Sequence, residues 1–136
     1  MEGTESDSGV EVPRVLTVRQ PWAWAIIHAG KDVENRSWRT NHRGLLLIHA
    51  GQRFDPAGEA FIRELGLNLT EAARITGRII GSVDVADVVR DYDSVWAMSD
   101  LWNWVLVSKA PAVRPLECKG RLSLFAAPPE WVTAFA

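Results

Sequence analysis

Three charged side chains between residues 31 and 36 have types and spacing suited to ligand binding. Lys31 supplies a mobile point charge that suits a phosphate. Glu34 and Arg36 are two apart in a predicted strand, so their side chains point to the same side. Arg36 could present a planar fork to a phosphate or a base. Glu34 could accept from a cytosine amino group or a ribose hydroxyl. The same pair is equally consistent with a structural ion pair that closes the fold.

Tryptophans surround these charges in the sequence. The chain has seven tryptophans in 136 residues, and indole rings beside cations suit base stacking. Trp38 should share the face of Glu34 and Arg36, which makes it the best stacking candidate. Trp22 and Trp24 are two apart in a predicted helix, so they cannot share a face and one should pack in the core. The remaining four are predicted to pack in the core or at its rim: Trp96, Trp102, Trp104 and Trp131.

Two further groups of residues are candidate ligand contacts. Arg19 and Gln20 end a predicted strand where it enters a helix, and backbone N–H groups at a helix N-terminus attract anions. Alternatively, Gln20 caps or bridges that turn. Arg39 and Arg43 lie in a predicted hairpin turn, where they either contact phosphates loosely or are ordinary exposed side chains.

The charge is unevenly distributed along the chain, although the net charge is only −2. Residues 1–13 hold four acids and no base, which gives −4. Residues 14–53 hold seven bases and two acids, which gives +5, and residues 54–136 hold eight bases and eleven acids, which gives −3. A local basic block favours an anionic ligand such as RNA, DNA or a nucleotide.

Several function classes have no support in the sequence. A single cysteine, Cys118, excludes a disulfide framework and a cysteine-rich zinc site. The three histidines have no metal-binding spacing, and His49 lies in an apolar strand where a satisfied core residue is expected. The chain has no apolar run long enough for a membrane span and no Gly-rich phosphate loop. We therefore expect no metal, no cofactor, no membrane contact, a cytoplasmic location and, by default, a monomer.

The elements that must position these side chains are short. Strands are predicted at 15–19, 33–38, 45–50, 78–89, 102–107 and 122–125. Helices are predicted at 21–29, at about 56–65, between Thr70 and Gly77, and from Pro128 onward. Pro111 and Pro115 mark a connection or an edge strand, and Gly81 indicates a bulge. Residues 1–13 are predicted to be a disordered acidic tail, followed by one domain at 14–136.

The order of these elements shows no regular β-α-β alternation, which favours an α+β domain. The predicted architecture is a partly closed mixed β-barrel of about six strands with two or three short helices on its rim.

Two motifs resemble the ASCH family. Residues 16–23, Leu-Thr-Val-Arg-Gln-Pro-Trp-Ala, resemble the opening of its domain. Residues 30–38, Gly-Lys-Asp-Val-Glu-Asn-Arg-Ser-Trp, resemble its signature of Gly and Lys followed by Glu and Arg. The match continues at 42–50 and near Pro115 and 119–120, and so covers most of 15–126. The resemblance implies a PUA-like β-barrel with a cleft beside the first helix and binding of RNA, DNA or a nucleotide.

The resemblance has departures. The family pattern often separates the Gly from the Lys by one residue, whereas Gly30 directly precedes Lys31. Some small bacterial relatives hydrolyse acylated cytidines with a Lys and a hydroxyl nucleophile three residues later. Glu34, a carboxylate, takes that position here, so the acyl-transfer role does not carry over to it.

The sequence leaves three functions open. The first is a nucleic-acid- or nucleotide-binding module that uses a basic, Trp-lined cleft. The second is a small amidohydrolase acting on an acylated nucleoside such as N4-acetylcytidine, with Lys31 as base helped by Glu34. In that case the hydroxyl would come from Thr17, Ser37 or Tyr92. The third is a protein–protein interaction domain in which exposed tryptophans are hot spots.

Overall fold

The computed structural model describes residues 12–136, so residues 1–11 of the predicted acidic tail lie outside the described residues. The strands are β1 (Arg14–Gln20), β2 (Val33–Arg36), β3 (Gly44–Phe54), β4 (Arg78–Val89), β5 (Trp102–Glu117) and β6 (Phe125–Ala126). The helices are α1 (Trp22–His28) and α2 (Pro56–Glu64), with short 3-10 helices at Glu71–Arg74 and Pro129–Ala134.

The six strands form one mixed sheet in the order β2-β5-β4-β3-β1-β6. β1 runs parallel to β3, and every other neighbouring pair is antiparallel. This confirms the predicted α+β, PUA-like class with about six strands. The sheet is not closed, because β2 and β6 at its two edges are not paired with each other among residues 12–136. The predicted partial closure into a barrel is therefore not confirmed.

Helix α1 covers one face of the sheet. Ala23 and Ile26 are buried on this helix and pack in the same core cluster as Leu16, Ile48 and Trp104. Ile27 adds to this contact beside Gly81, where a Cβ atom would lie 2.5 Å from the Ile27 Cδ1. The absence of a side chain at Gly81 therefore lets α1 approach the sheet closely. Register shifts at this position confirm the predicted bulge.

Gln20 attaches the N-terminal end of α1 to the rest of the fold. Its side-chain oxygen accepts from the Trp24 N–H at 2.9 Å, which satisfies a donor of the first helical turn. Its side-chain nitrogen donates to the Ile75 carbonyl at 2.8 Å. Gln20 is fully buried. Of the two roles that the sequence left open, the structure shows the cap and bridge of the turn.

The C-terminal half departs most from the predicted elements. β5 extends to Glu117 rather than ending at 107, and it includes Pro111 and Pro115. Since β2 pairs only with Trp102–Val105, the rest of β5 has a free edge within the described part of the chain, where proline is tolerated. The last strand is only Phe125–Ala126, because Ser123 has a φ of 58°, which interrupts the extended backbone predicted for 122–125.

No helix among residues 12–136 combines the length and the apolar character needed to cross a lipid bilayer.

Candidate functional site

A cleft of about 850 Å³ opens between β1, β2, the two α helices and the connection that precedes β5. Its ionic lining residues are Arg19, Lys31, Glu34, Arg36 and Asp55, and its aromatic lining residues are Trp22, Trp38, Phe61 and Trp96. A volume of this size is typical of a small-molecule or single-nucleotide site.

Lys31 lies in the buried wall of the cleft, with only 4% of its surface exposed. Its Nζ donates to the Val33 carbonyl and lies 3.6 Å from Glu34 Oε1. The same Nζ is 5.6 Å from the centre of the Trp22 ring and 6.0 Å from that of Trp96. Burial lowers the pKa of Lys31 below its ordinary 10.5, and the Glu34 carboxylate opposes part of this shift.

Glu34 is shared by two cations. Its Oε2 accepts from Arg36 Nε at 2.9 Å, while its Oε1 faces Lys31. Arg36 also donates from one terminal nitrogen to the Thr17 carbonyl at 2.8 Å, which ties β2 to β1. The predicted same-side arrangement of Glu34 and Arg36 is confirmed. The pair contributes to the fold and lines the cleft at the same time.

Three indole rings and Phe61 form the aromatic part of the wall. The Trp22 N–H donates to Asp55 Oδ2 at 2.9 Å, while Trp24 is buried on another face of α1, as the spacing predicted. Trp38 packs edge-on against Trp104 with ring centres 4.9 Å apart, and its backbone carbonyl accepts from the Trp104 N–H. Trp96 is edge-on to Phe61 of α2 at 5.7 Å.

Hydrogen bonds between side chains at β2 and the connection at 94–101 hold Trp96 at the cleft. Asn35 donates to the Trp96 carbonyl at 2.9 Å and accepts from the Met98 N–H at 3.0 Å. Ser94 donates to Asp32 Oδ1 at 2.6 Å. The connection is therefore held against β2 by side chains that flank Glu34 and Arg36 in the sequence.

Arg19 lies at the mouth of the cleft. Its side chain is 60% exposed and one terminal nitrogen is 3.8 Å from Asp55 Oδ2. Because exposed ion pairs of this kind are weak, the guanidinium can also contact an anion entering the cleft.

Three of the predicted ligand contacts do not line the cleft. Both polar atoms of the Gln20 side chain already have hydrogen-bond partners within the fold. Arg39 stacks over Trp102 at 5.5 Å from the ring centre. Arg43 donates to the carbonyls of Thr40 and His42 and lies 3.8 Å from Asp87. The basic block is thus dispersed, and the lining carries three bases against two acids.

Several contributors to this wall were not predicted from the sequence. Trp96 was predicted to be packing only, yet it lines the cleft. Asp55 and Phe61 also line it, and Asp55 caps α2 as well by accepting from the Ala57 N–H. Only the high tryptophan content pointed to such a surface, and it could not say which rings would converge.

His49 has the buried structural role that was expected of it. Its Nδ1 and Thr17 Oγ1 share a hydrogen bond of 3.2 Å, and its Nε2 and the Cys118 carbonyl share one of 2.6 Å. Burial lowers the pKa of His49 below its ordinary 6.5, and the bond to Cys118 opposes that shift. Among residues 12–136 there is no group of three His, Cys, Asp or Glu side chains arranged to hold a metal ion.

Comparison with known protein families identifies the family of this chain. The family described as "ASCH domain" matches residues 16–113. The chain belongs to the ASCH family. The matched segment includes every residue that lines the cleft, from Thr17 to Leu101.

Two known proteins are similar in sequence to part of this chain. The human protein "Activating signal cointegrator 1" is 30% identical over 94 residues, which cover 64% of this chain and 16% of that protein. The mouse protein of the same name is 40% identical over 57 residues, covering 41% of this chain and 10% of that protein. The chain therefore spans only a small part of the length of these relatives.

Proposed function

We propose that the cleft binds a nucleobase, presented by RNA, DNA or a free nucleotide. The observation that carries this proposal is the placement of Lys31, Glu34 and Arg36 side by side in a wall that also contains indole rings. Stacking on aromatic side chains together with hydrogen bonds to the base edge is how proteins hold single bases. Membership of the ASCH family, whose members commonly bind RNA, supports a role related to nucleic acids.

The charges indicate how the rest of the nucleotide would be held. Lys31 and Arg36 are engaged with Glu34, so they suit a neutral polar base edge better than a phosphate. Arg19 at the mouth is the exposed cation of the lining and suits the phosphate of the same nucleotide. The cleft would then grip one nucleotide, with few phosphates neutralised.

Fluorescence anisotropy of short labelled single-stranded RNA, single-stranded DNA and duplex DNA tests this proposal. We expect binding to the single strands, with a shallow salt dependence, because the slope is about −0.7 per neutralised phosphate of a single strand. The double variant Lys31→Ala/Arg36→Ala should lose binding, whereas Arg43→Ala, outside the lining, should retain it. Equal binding by all three proteins, or no binding to any nucleic acid or nucleotide, would overturn the proposal.

The amidohydrolase remains a second candidate because of one observation. The buried Lys31 has a lowered pKa, which suits a general base, and it lies beside a carboxylate. Thr17 and Ser37 line the cleft and bring hydroxyls, whereas Tyr92 does not line it. Turnover of N4-acetylcytidine by the protein, lost in Lys31→Ala, would support this function. An unchanged substrate after prolonged incubation would exclude that reaction.

A further inference from the structure

The two cations contact opposite oxygens of the Glu34 carboxylate. Lys31 Nζ faces Oε1 at 3.6 Å and Arg36 Nε donates to Oε2 at 2.9 Å. The wall of the cleft therefore presents a donor, an acceptor and a donor in that order. All three groups line the cleft.

Each group retains hydrogen-bonding capacity after its contacts within the protein are counted. Lys31 has three N–H bonds, of which one goes to the Val33 carbonyl and one points towards Glu34. Arg36 has five, of which one goes to Glu34 and one to the Thr17 carbonyl. Each Glu34 oxygen has a second lone pair.

Lys31, Glu34 and Arg36 form a donor–acceptor–donor row. Rotation of neighbouring side chains cannot easily change the order of this row. The Asn35 amide is used on both atoms, and the Thr17 hydroxyl shares a bond with His49. Glu34 is held at both oxygens, and Arg36 is held at both the carboxylate and β1. A row fixed in this way discriminates, because a mismatched ligand leaves buried polar groups unpaired.

We propose that the cleft selects bases with an imide edge, namely uracil or thymine, an inference that rests on the base-binding function proposed above. The edge of these bases reads carbonyl, N–H, carbonyl, which complements Lys31, Glu34 and Arg36 in order. The N3–H would donate to the Glu34 carboxylate, and the two flanking carbonyls would accept from the cations.

The other bases fit this row less well. In register with the row, cytosine would place its amino group against Lys31 or Arg36 and its acceptor N3 against the Glu34 carboxylate. Shifted by one position, its amino group meets Glu34 and its N3 one cation, and the other cation is left without a partner. Adenine would also set an acceptor nitrogen against the carboxylate when its amino group faces one cation. Guanine fits two of the three positions, but its amino group meets a cation at the third. In each case a donor faces a donor, an acceptor faces an acceptor, or one cation is left without a partner.

A change at Glu34 tests the proposal from the side of the protein. Glu34→Gln adds an amide donor that can serve the N3 of cytosine, so the preference for uridine over cytidine should shrink or reverse. Glu64→Gln, an exposed residue of α2, is the matched control and should keep the preference. A folded Glu34→Gln protein, checked by its unfolding transition, that keeps the full preference would contradict the proposal.

The decisive experiment varies the ligand and uses the unmodified protein. Labelled oligouridine, oligodeoxythymidine, oligocytidine and oligoadenosine are titrated by anisotropy beside an oligouridine methylated at N3. We expect oligocytidine, oligoadenosine and the N3-methylated strand to bind about tenfold more weakly or worse, since a buried hydrogen bond to a charged group is lost. Tight binding of either oligouridine or oligodeoxythymidine supports the imide edge, and their ratio identifies RNA or DNA as the source.

Different results would overturn base binding and imide selection. Equal affinity for oligouridine and oligocytidine, or unchanged affinity after N3 methylation, overturns the imide selection while base binding stands. Binding of none of the five strands, with free uridine monophosphate and thymidine monophosphate also giving no heat of binding in calorimetric titrations, overturns both.

Discussion

The side chain of Asn103 donates a hydrogen bond of 2.9 Å to the side-chain oxygen of Asn35, its register partner across β2 and β5. Asn103 is fully buried, and its own oxygen accepts from the Tyr92 N–H at 2.9 Å. The two asparagines therefore hold both ends of the connection that brings Trp96 to the cleft. A hydrogen-bonded pair of this kind, with Asn103 buried and Asn35 half-buried, is expected to define one conformation.

Asn35→Asp should release this connection while the sheet remains folded. The change removes the donor to the Trp96 carbonyl and places a carboxylate oxygen against it, which is repulsive in a partly buried position. We expect faster amide hydrogen exchange at 94–101 and weaker ligand binding, with little change in exchange at β3 and β4. Asn68→Asp, at an exposed position, is the control and should change neither. Uniformly faster exchange along the whole chain would show that Asn35 supports global stability instead.

Lys31→Met and Glu34→Leu should differ strongly in stability. In Lys31→Met the cost of burying a cation disappears and Glu34 keeps Arg36, so the free energy of unfolding should stay within about 1 kcal/mol of the wild type. In Glu34→Leu two cations are left without their shared carboxylate, and the loss should be about 3 kcal/mol. Urea unfolding followed by tryptophan fluorescence measures both. Similar losses for the two variants would contradict the shared-carboxylate description.

Gly58→Ala should disturb the part of the cleft wall that Trp22 forms. A Cβ atom at Gly58 would lie 2.9 Å from Trp22 Cε2 and 3.0 Å from Pro21 Cδ. The indole or its surroundings must shift, which disturbs the bond from Trp22 to Asp55, so we expect weaker ligand binding and a loss of about 1–3 kcal/mol in the free energy of unfolding. Ala60→Gly, an exposed position of the same helix, should lose about 1 kcal/mol through helix propensity alone and bind normally. Unchanged affinity in Gly58→Ala would show that ligand binding does not depend on the position of the Trp22 ring.

His49 should make the protein less stable in mild acid. Because burial lowers its folded-state pKa below the 6.5 of the unfolded chain, the unfolded state binds more protons between these two values. The contribution to the free energy of unfolding is therefore fully present above pH 6.5 and is lost as the pH falls through the folded-state pKa. His49→Gln should flatten this part of the curve of unfolding free energy against pH. His28→Gln, at an exposed position, should not, and a steep curve in His49→Gln would assign the acid sensitivity to other groups.

Local features of the sequence were sufficient to predict most of the elements. β4 agrees with its predicted range, and α1 and α2 agree within one or two residues, because their periodicity and caps are properties of short segments. The ion pair of Glu34 and Arg36 was also predictable, since alternation along a strand places residues two apart on one side. The α+β class and the ASCH resemblance followed from the same local signals.

What only the tertiary structure decided is which of these segments meet. Periodicity indicates the face of an element on which a side chain lies, but it does not say which other element covers that face. The positions of Trp96 and Phe61 depend on the connection held by Asn35 and on the docking of α2, which are contacts between residues distant in the chain. Gln20 and Arg43 lie outside the cleft lining for the same reason. Partners elsewhere in the fold compete for their polar atoms, and a sequence read in order does not show these partners.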